Sequence, residues 1–138
     1  MAEHRFPVTI YWEDTDAGGM VYHANHLRFA ERARSEMLAE AGIDQAALAD
    51  GADRLLAVRR CEIDYLRPAR LGDRLQVVTR VLGATGARVL LDQRVIGGDQ
   101  AGQHHDVAAL NVQIVCVDRQ GRARRLPAIV RDALLRDP

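Results

Sequence analysis

One stretch of this chain keeps helical spacing over several turns, and it sets what the rest can become. From about Asn25 to Ala41, the residues Leu27, Ala30, Ala33, Met37, Leu38 and Ala41 fall on one broad apolar stripe, with Phe29 at its edge. Ala30 and Ala33 are small enough to let a sheet approach the helix closely. Gly42 is placed to end it. Asp44 is placed to cap a short second helix running through Asp50 and closed by Gly51. Most of the remainder alternates as strands do. Phe6 to Trp12 reads as a first strand, and Leu56 to Leu66 sets Cys61, Ile63 and Tyr65 against Arg60, Glu62 and Asp64. Arg74 to Leu82 and Ala87 to Ile96 follow, with turns at Gly83–Gly86 and at Gly97, Gly98 and Asp99. Asp106 to Val117 is a long apolar run suited to a central strand. Pro127 opens a last helical segment through Ile129, Val130, Ala133 and Leu134. A strand, a long helix and then four strands make an α+β layout. At 138 residues this is one domain, spanning 1–138.

Composition removes several kinds of chemistry. All 19 basic residues are Arg, so no lysine is available for a Schiff base. Arginine also supplies forked donors suited to phosphate. Ser35 is the only serine, and it lies inside the helix without a nucleophile-elbow context. A net charge of zero argues against a general nucleic-acid binder. Cys61 and Cys116 sit at apolar strand positions and read as small buried hydrophobes. The five histidines, His4, His23, His26, His104 and His105, lack zinc-site spacing, so no metal is expected. Nothing resembles a signal peptide or a membrane span, so a cytoplasmic protein is expected.

The chemistry concentrates just ahead of the long helix. Between Tyr11 and Leu38 the chain reads YWEDTDAGGMVYHANHLRFAERARSEML. Glu13, Asp14 and Asp16 form an acidic cluster, Gly18 and Gly19 follow, and Met20, Val21, Tyr22 and His23 lead into the helix. A carboxylate on a Gly-bearing loop can act as base or nucleophile. The helix start offers unpaired N–H groups and a positive partial charge for an oxyanion.

That stretch resembles the signature of hotdog-fold acyl-CoA thioesterases of the 4-hydroxybenzoyl-CoA thioesterase type, above all those associated with the Tol-Pal system. The resemblance rests on residues 13–19, 21–24, 31–34 and 36–38. A second block is Val58, Arg59 and Arg60, then Asp64, Tyr65 and Pro68 to Leu71. A third is Val115 to Asp118. It implies a hotdog fold, in which an antiparallel five-stranded sheet wraps one long central helix. It further implies a homodimer or a dimer of dimers, with acyl-CoA as substrate and no cofactor beyond the coenzyme A of that substrate.

In the family pattern the second acid of D-x-D-x-x-G is catalytic, and it falls on Asp16. Asp14 is the structural acid, fixing the loop by accepting backbone N–H bonds. The family's oxyanion donor is a backbone N–H that falls on His23. The His23 side chain is left with several roles: polarising the carbonyl, orienting Asp16, protonating the leaving thiolate, or packing at the helix entry. Gly18 and Gly19 let the loop approach the acyl group. Tyr22 packs or closes the acyl pocket. Glu31, about 12 Å of helical rise beyond His23, is a fallback carboxylate, although its ERAR context favours an ion pair. Arg59, Arg88, Arg124 and Arg125 are the candidates for holding the coenzyme A phosphates. Two other readings use the same scaffold. A hotdog hydratase needs a helix-borne acid or His pair, which DTDAGG does not supply. A scaffold binding acyl carrier protein or an envelope-lipid enzyme needs no intact Asp16–His23 motif.

Overall fold

The computed structural model describes residues 3–98 and 103–136. The elements in order are β1 (Glu3–Thr9), α1 (His23–Glu40), α2 (Gln45–Ala52), β2 (Leu55–Tyr65), β3 (Arg74–Thr85), β4 (Arg88–Gly98), β5 (His104–Val117) and α3 (Ala128–Leu135). The strands form one antiparallel sheet in the order β1-β3-β4-β5-β2. Helix α1 packs on β1, β3 and β4, and α3 packs on β3. This is the hotdog layout expected from the resemblance. β5 is an interior strand, as its apolar run suggests, and β2 forms one edge of the sheet.

Helix–sheet contact selects the helix face. Phe29, Ala30 and Ala33 are fully buried, whereas Leu27 is 39% exposed. The buried stripe is therefore rotated from the expected one, with Phe29 at its centre and Leu27 outside. Periodicity gives a stripe its width, but the sheet decides its phase. Burying Phe29 alone contributes about 1.5–3 kcal/mol.

A polar strut crosses this apolar layer. Gln93 of β4 is fully buried. Its amide nitrogen donates to Thr79 Oγ1 of β3 at 2.9 Å and to the Ala30 carbonyl of α1 at 3.1 Å. Its amide oxygen accepts from Arg34 Nη1 at 2.8 Å. Arg34 in turn pairs with Glu31 at 2.5 Å. Every polar atom of the Gln93 side chain therefore has a partner, which is the condition for burying it.

Several boundaries differ from the sequence reading, each for a local reason. β1 stops at Thr9, and Trp12–Asp14 forms a 3-10 turn, because the Asp14 carboxylate takes the Tyr11 N–H at 2.9 Å. α1 begins at His23, ahead of Asn25. Asp44 does cap α2, accepting from Ala47 N at 3.1 Å. Gly51 continues the helix, and Asp53, with φ 52°, closes it in the left-handed conformation. The β3–β4 turn shrinks to Gly86 and Ala87, because Leu82 bulges out of register and the ladder resumes at Gly83. Gly97 lies inside β4, where an added Cβ would come within 2.8 Å of His105 Nε2. Asp99 of the expected turn lies outside the described residues.

Cys116 is buried as expected, but Cys61 is exposed. Cys61 pairs across with Val112, so it shares the helix-facing side of the sheet. It is open because α1 packs mainly on β1, β3 and β4 and meets β2 only at its Tyr65 end. No helix among the described residues is long and apolar enough to cross a membrane.

Candidate active site

The loop from Asp14 to Tyr22 is built around two carboxylates with different jobs. Asp14 is buried. Its carboxylate accepts the Tyr11 N–H, and its carbonyl accepts the Tyr22 N–H at 2.8 Å and Asn25 Nδ2 at 3.0 Å. It ties the loop to the first turn of α1, the structural task the sequence suggests for it. Asp16 is exposed. Its Oδ1 accepts the Gly18 N–H at 2.8 Å and the Met20 N–H at 3.3 Å. Its backbone N–H donates to the Met20 carbonyl at 2.8 Å, closing a tight loop.

The two glycines serve this loop itself. Gly19 has φ 77°, a left-handed conformation that glycine adopts without strain. A Cβ on Gly18 would lie 3.3 Å from Asp16 Oδ1 and crowd the carboxylate.

Helix α1 opens directly beside the loop. Tyr22 is its N-cap, and no side chain caps it. The Asn25 N–H returns to the Tyr22 carbonyl at 2.8 Å. The N–H groups of His23 and Ala24 have no acceptor within the helix, so the helix start presents donors to whatever lies in front.

A cleft of about 290 Å³ is lined by Asp16, His23, His26 and Tyr65, among others. The stretch after β2 completes its wall with Leu66, Arg67 and Pro68. Tyr65 donates its hydroxyl to the His23 carbonyl at 3.1 Å, and the two rings meet edge to face at 6.0 Å. Burial, and then the neighbouring Cys61, raise the Tyr65 pKa, which keeps its hydroxyl a donor. His26 is only 3% exposed. Burial, and then the nearby His23, push its pKa down and favour the neutral ring. The Cys61 thiol, exposed but partly shielded from water by its neighbours, is pushed up by that desolvation, against the influence of Arg34. A thiol held protonated is a poor nucleophile.

The structure thus brings Asp16 and His23 to one cleft. Tyr22 stands beside it, its ring tilted against His23 at 4.5 Å and 47% exposed. The four arginines lie elsewhere in the chain. Arg59 sits at the β2 bulge and donates to Gln113 at 3.3 Å. Arg88 opens β4. Arg124 is paired with Asp118 at 3.0 Å, and Arg125 is the exposed residue next to it. The segment of Arg124 and Arg125 is held to the β3–β4 turn by the Leu126 N–H donating to the Gly86 carbonyl at 2.9 Å. Glu31 is ion-paired to Arg34, as its context suggests. It lines a separate small cavity of about 40 Å³ with Arg34, Leu38, Val58, Leu91 and Leu134.

Sequence reasoning missed His26, Tyr65 and Arg67 as cleft residues. Tyr65 stands in the second block of the resemblance, yet nothing local announces that its hydroxyl reaches α1. His26 entered only as a metal candidate. Among the described residues no group of three or more His, Cys, Asp or Glu converges as a metal site would require.

Residues 10–134 match the thioesterase-like superfamily. The chain is 40% identical over 115 residues to the acyl-CoA thioester hydrolase YbgC of Escherichia coli, covering 83% of this chain and 81% of that one. Among solved structures, a probable thioesterase from Bartonella henselae superposes with a TM-score of 0.83 at 36% identity, covering 91% of this chain and all of that one. A mutant of 4-hydroxybenzoyl-CoA thioesterase complexed with 4-hydroxybenzoyl-CoA superposes with a TM-score of 0.90 at 16% identity, covering 96% and 98% of the two chains. That last likeness is one of fold.

Proposed function

The chain belongs to the thioesterase-like superfamily, and from that premise we propose that it hydrolyses acyl-CoA thioesters at the Asp16 cleft. The observation that carries the site is the meeting of a free carboxylate edge with an uncapped helix start. Asp16 Oδ1 is held by two N–H groups, which fixes the carboxylate and leaves Oδ2 without a hydrogen-bond partner among the described residues. A thioester carbonyl set between Asp16 and the His23 N–H would have a base or nucleophile at its carbon. Its oxygen would have a donor backed by the dipole of α1. The departing coenzyme A thiolate is stable enough to leave without a strong acid. Asp16 either attacks the carbonyl or removes a proton from the attacking water; each route needs the ionised carboxylate. The test is release of free thiol from short, long, branched and aromatic acyl-CoAs. Absence of release from every member would reject the reading.

The working unit in this proposal is a homodimer. Two features support it. β2 is an edge strand whose outer backbone groups have no neighbouring strand among the described residues. Its helix-facing side leaves Val58 48% and Tyr65 47% exposed, with Cys61 between them. Two copies of one strand related by a two-fold axis pair antiparallel. Such pairing sets the Tyr65 end of one chain beside the Leu55 end of its partner. Within one chain, Arg88 pairs with Val115 while Tyr65 pairs with Ala108, so Arg88 lies about 23 Å along β5 from the cleft. The partner's copies of Arg88, Arg124 and Arg125 are then the ones that approach each cleft. Arg67, at the cleft of its own chain, joins them as a phosphate donor.

A further inference from the structure

Asn25 stands in the first turn of α1 and is only 7% exposed. A buried carboxamide needs a partner, and this one reaches back out of the helix. Its Nδ2 donates to the Asp14 carbonyl at 3.0 Å. A carbonyl only accepts, so the group facing it is the amide nitrogen. The Asp14 oxygen also takes the Tyr22 N–H at 2.8 Å, which fills both of its lone pairs. Asn25 is not one of the residues lining the Asp16 cleft.

What this bond holds follows from the shape of the loop. Thr15 bridges to Val21, the Asp16 N–H donates to the Met20 carbonyl at 2.8 Å, and the Gly19 N–H donates to the Asp16 carbonyl at 3.1 Å. Residues 15–21 therefore form a closed lobe that carries Asp16 as one piece. The Tyr22 N–H closes the base of that lobe without reaching the body of the helix. Among the described residues, the Asn25 bond is the one hydrogen bond from a residue within α1 to the loop ahead of it. A Ser, Thr or Asp at the N-cap would also anchor the helix start, but its oxygen would occupy an N–H of the first turn. The Tyr22 side chain makes no such bond. Asn25 anchors the turn through a side-chain donor and occupies none of those N–H groups.

We propose that Asn25 is a positioning residue: its carboxamide clamps the Asp14 carbonyl to the first turn of α1 and so sets how Asp16 stands against the His23 N–H across the reacting thioester. This rests on the thioesterase reading above. Asn25 touches neither substrate nor the reacting atoms. It acts through Asp14, by fixing the lobe that carries one catalytic group against the helix that carries the other. Its loss therefore changes turnover more than binding.

The experiment compares the wild type with Asn25→Leu and Asn25→Asp, at pH 8 and on the acyl-CoA that the wild type hydrolyses fastest. Asn25→Leu keeps a similar volume and removes the donor. It should lower kcat by roughly ten- to hundredfold, the scale of a small misplacement of reacting groups, with KM within about twofold of the wild type. Asn25→Asp keeps the shape and turns an acceptor towards the Asp14 carbonyl. It should lose at least as much, even though an acid in the first turn favours the helix itself. Hydrogen exchange read by mass spectrometry should be faster over residues 11–25 in both variants and unchanged over β3, β4 and β5. Wild-type kcat in either folded variant would overturn the proposal, since Asn25 would then hold nothing that turnover needs. A loss confined to KM would overturn it too, marking Asn25 as a substrate contact, and so would faster exchange throughout the sheet, marking an ordinary core residue. Should Asn25→Leu fail to fold, the isosteric Asn25→Asp carries the same test. If the wild type hydrolyses no acyl-CoA, it is the thioesterase reading that fails, and the exchange measurement still decides whether Asn25 holds the loop.

Discussion

The Tyr65 hydroxyl donates to the His23 carbonyl across 3.1 Å, tying the end of β2 to the first turn of α1. Two residues 42 positions apart in the chain thereby share one wall of the cleft. Tyr65→Phe keeps the ring and removes the bond. The expected loss of stability is small, about 0.5–1.5 kcal/mol. Its effect on kcat/KM should exceed what that loss alone implies, because the helix start is no longer held against β2. Thermal melts and steady-state kinetics on the same preparation separate the two. Unchanged kinetics would mean that the bond does not position the helix start.

The Gln93 strut makes a second prediction. Gln93→Leu fills similar volume but strands Arg34 Nη1 and Thr79 Oγ1 in the buried layer. The expected cost is about 1–3 kcal/mol, read as a lower denaturant midpoint at unchanged slope. A midpoint equal to the wild type's would show that the strut is replaceable by apolar packing.

Asp118 links stability to pH. Burial opposes its charge, but the Arg122 N–H and guanidinium and the Gln120 N–H overcome that opposition and hold its carboxyl at about 2. An unfolded aspartate titrates near 3.9, roughly the ordinary value. The folded value is the lower one. Its contribution is therefore complete above the unfolded value and is lost as pH falls through the folded one. The melting temperature should fall between about pH 5 and pH 2, and Asp118→Asn should flatten part of that fall. Parallel curves for the two proteins would remove Asp118 from the account.

Much of this layout could be read from residue pattern, and the exceptions share a cause. The DTDAGG loop and the helix after it carry local chemistry, so Asp14, Asp16 and the helix start were legible. Phe29, Leu27 and Cys61 were misplaced because their environments depend on which strands α1 covers, and a single element's periodicity does not contain that. Asp53 displaced Gly51 as the close of α2 because an aspartate can also adopt the left-handed conformation. Tyr65 and His26 gained their places in the cleft only when β2 and α1 were brought together.

The dimer proposal predicts the behaviour of two thiols. In a single chain Cys61 is exposed and Cys116 is buried. If β2 edges pair, both should react slowly with a thiol-specific chromogenic reagent until the protein unfolds, and sedimentation at low micromolar concentration should show no folded monomer. One thiol reacting at once in a fully active protein would mean that the β2 face is open and that each site is complete within one chain.

The most direct measurement of the central claim is turnover by Asp16→Asn. The amide keeps the volume of the side chain and its capacity to accept from Gly18 and Met20, and it removes the charge and basicity. With the fold verified by circular dichroism, kcat on the best acyl-CoA should fall by roughly 10²–10⁴-fold, the range for loss of a positioned base, while KM changes little. A correctly folded Asp16→Asn protein turning over at the wild-type rate would contradict the account and direct the search for the catalytic carboxylate to Glu31.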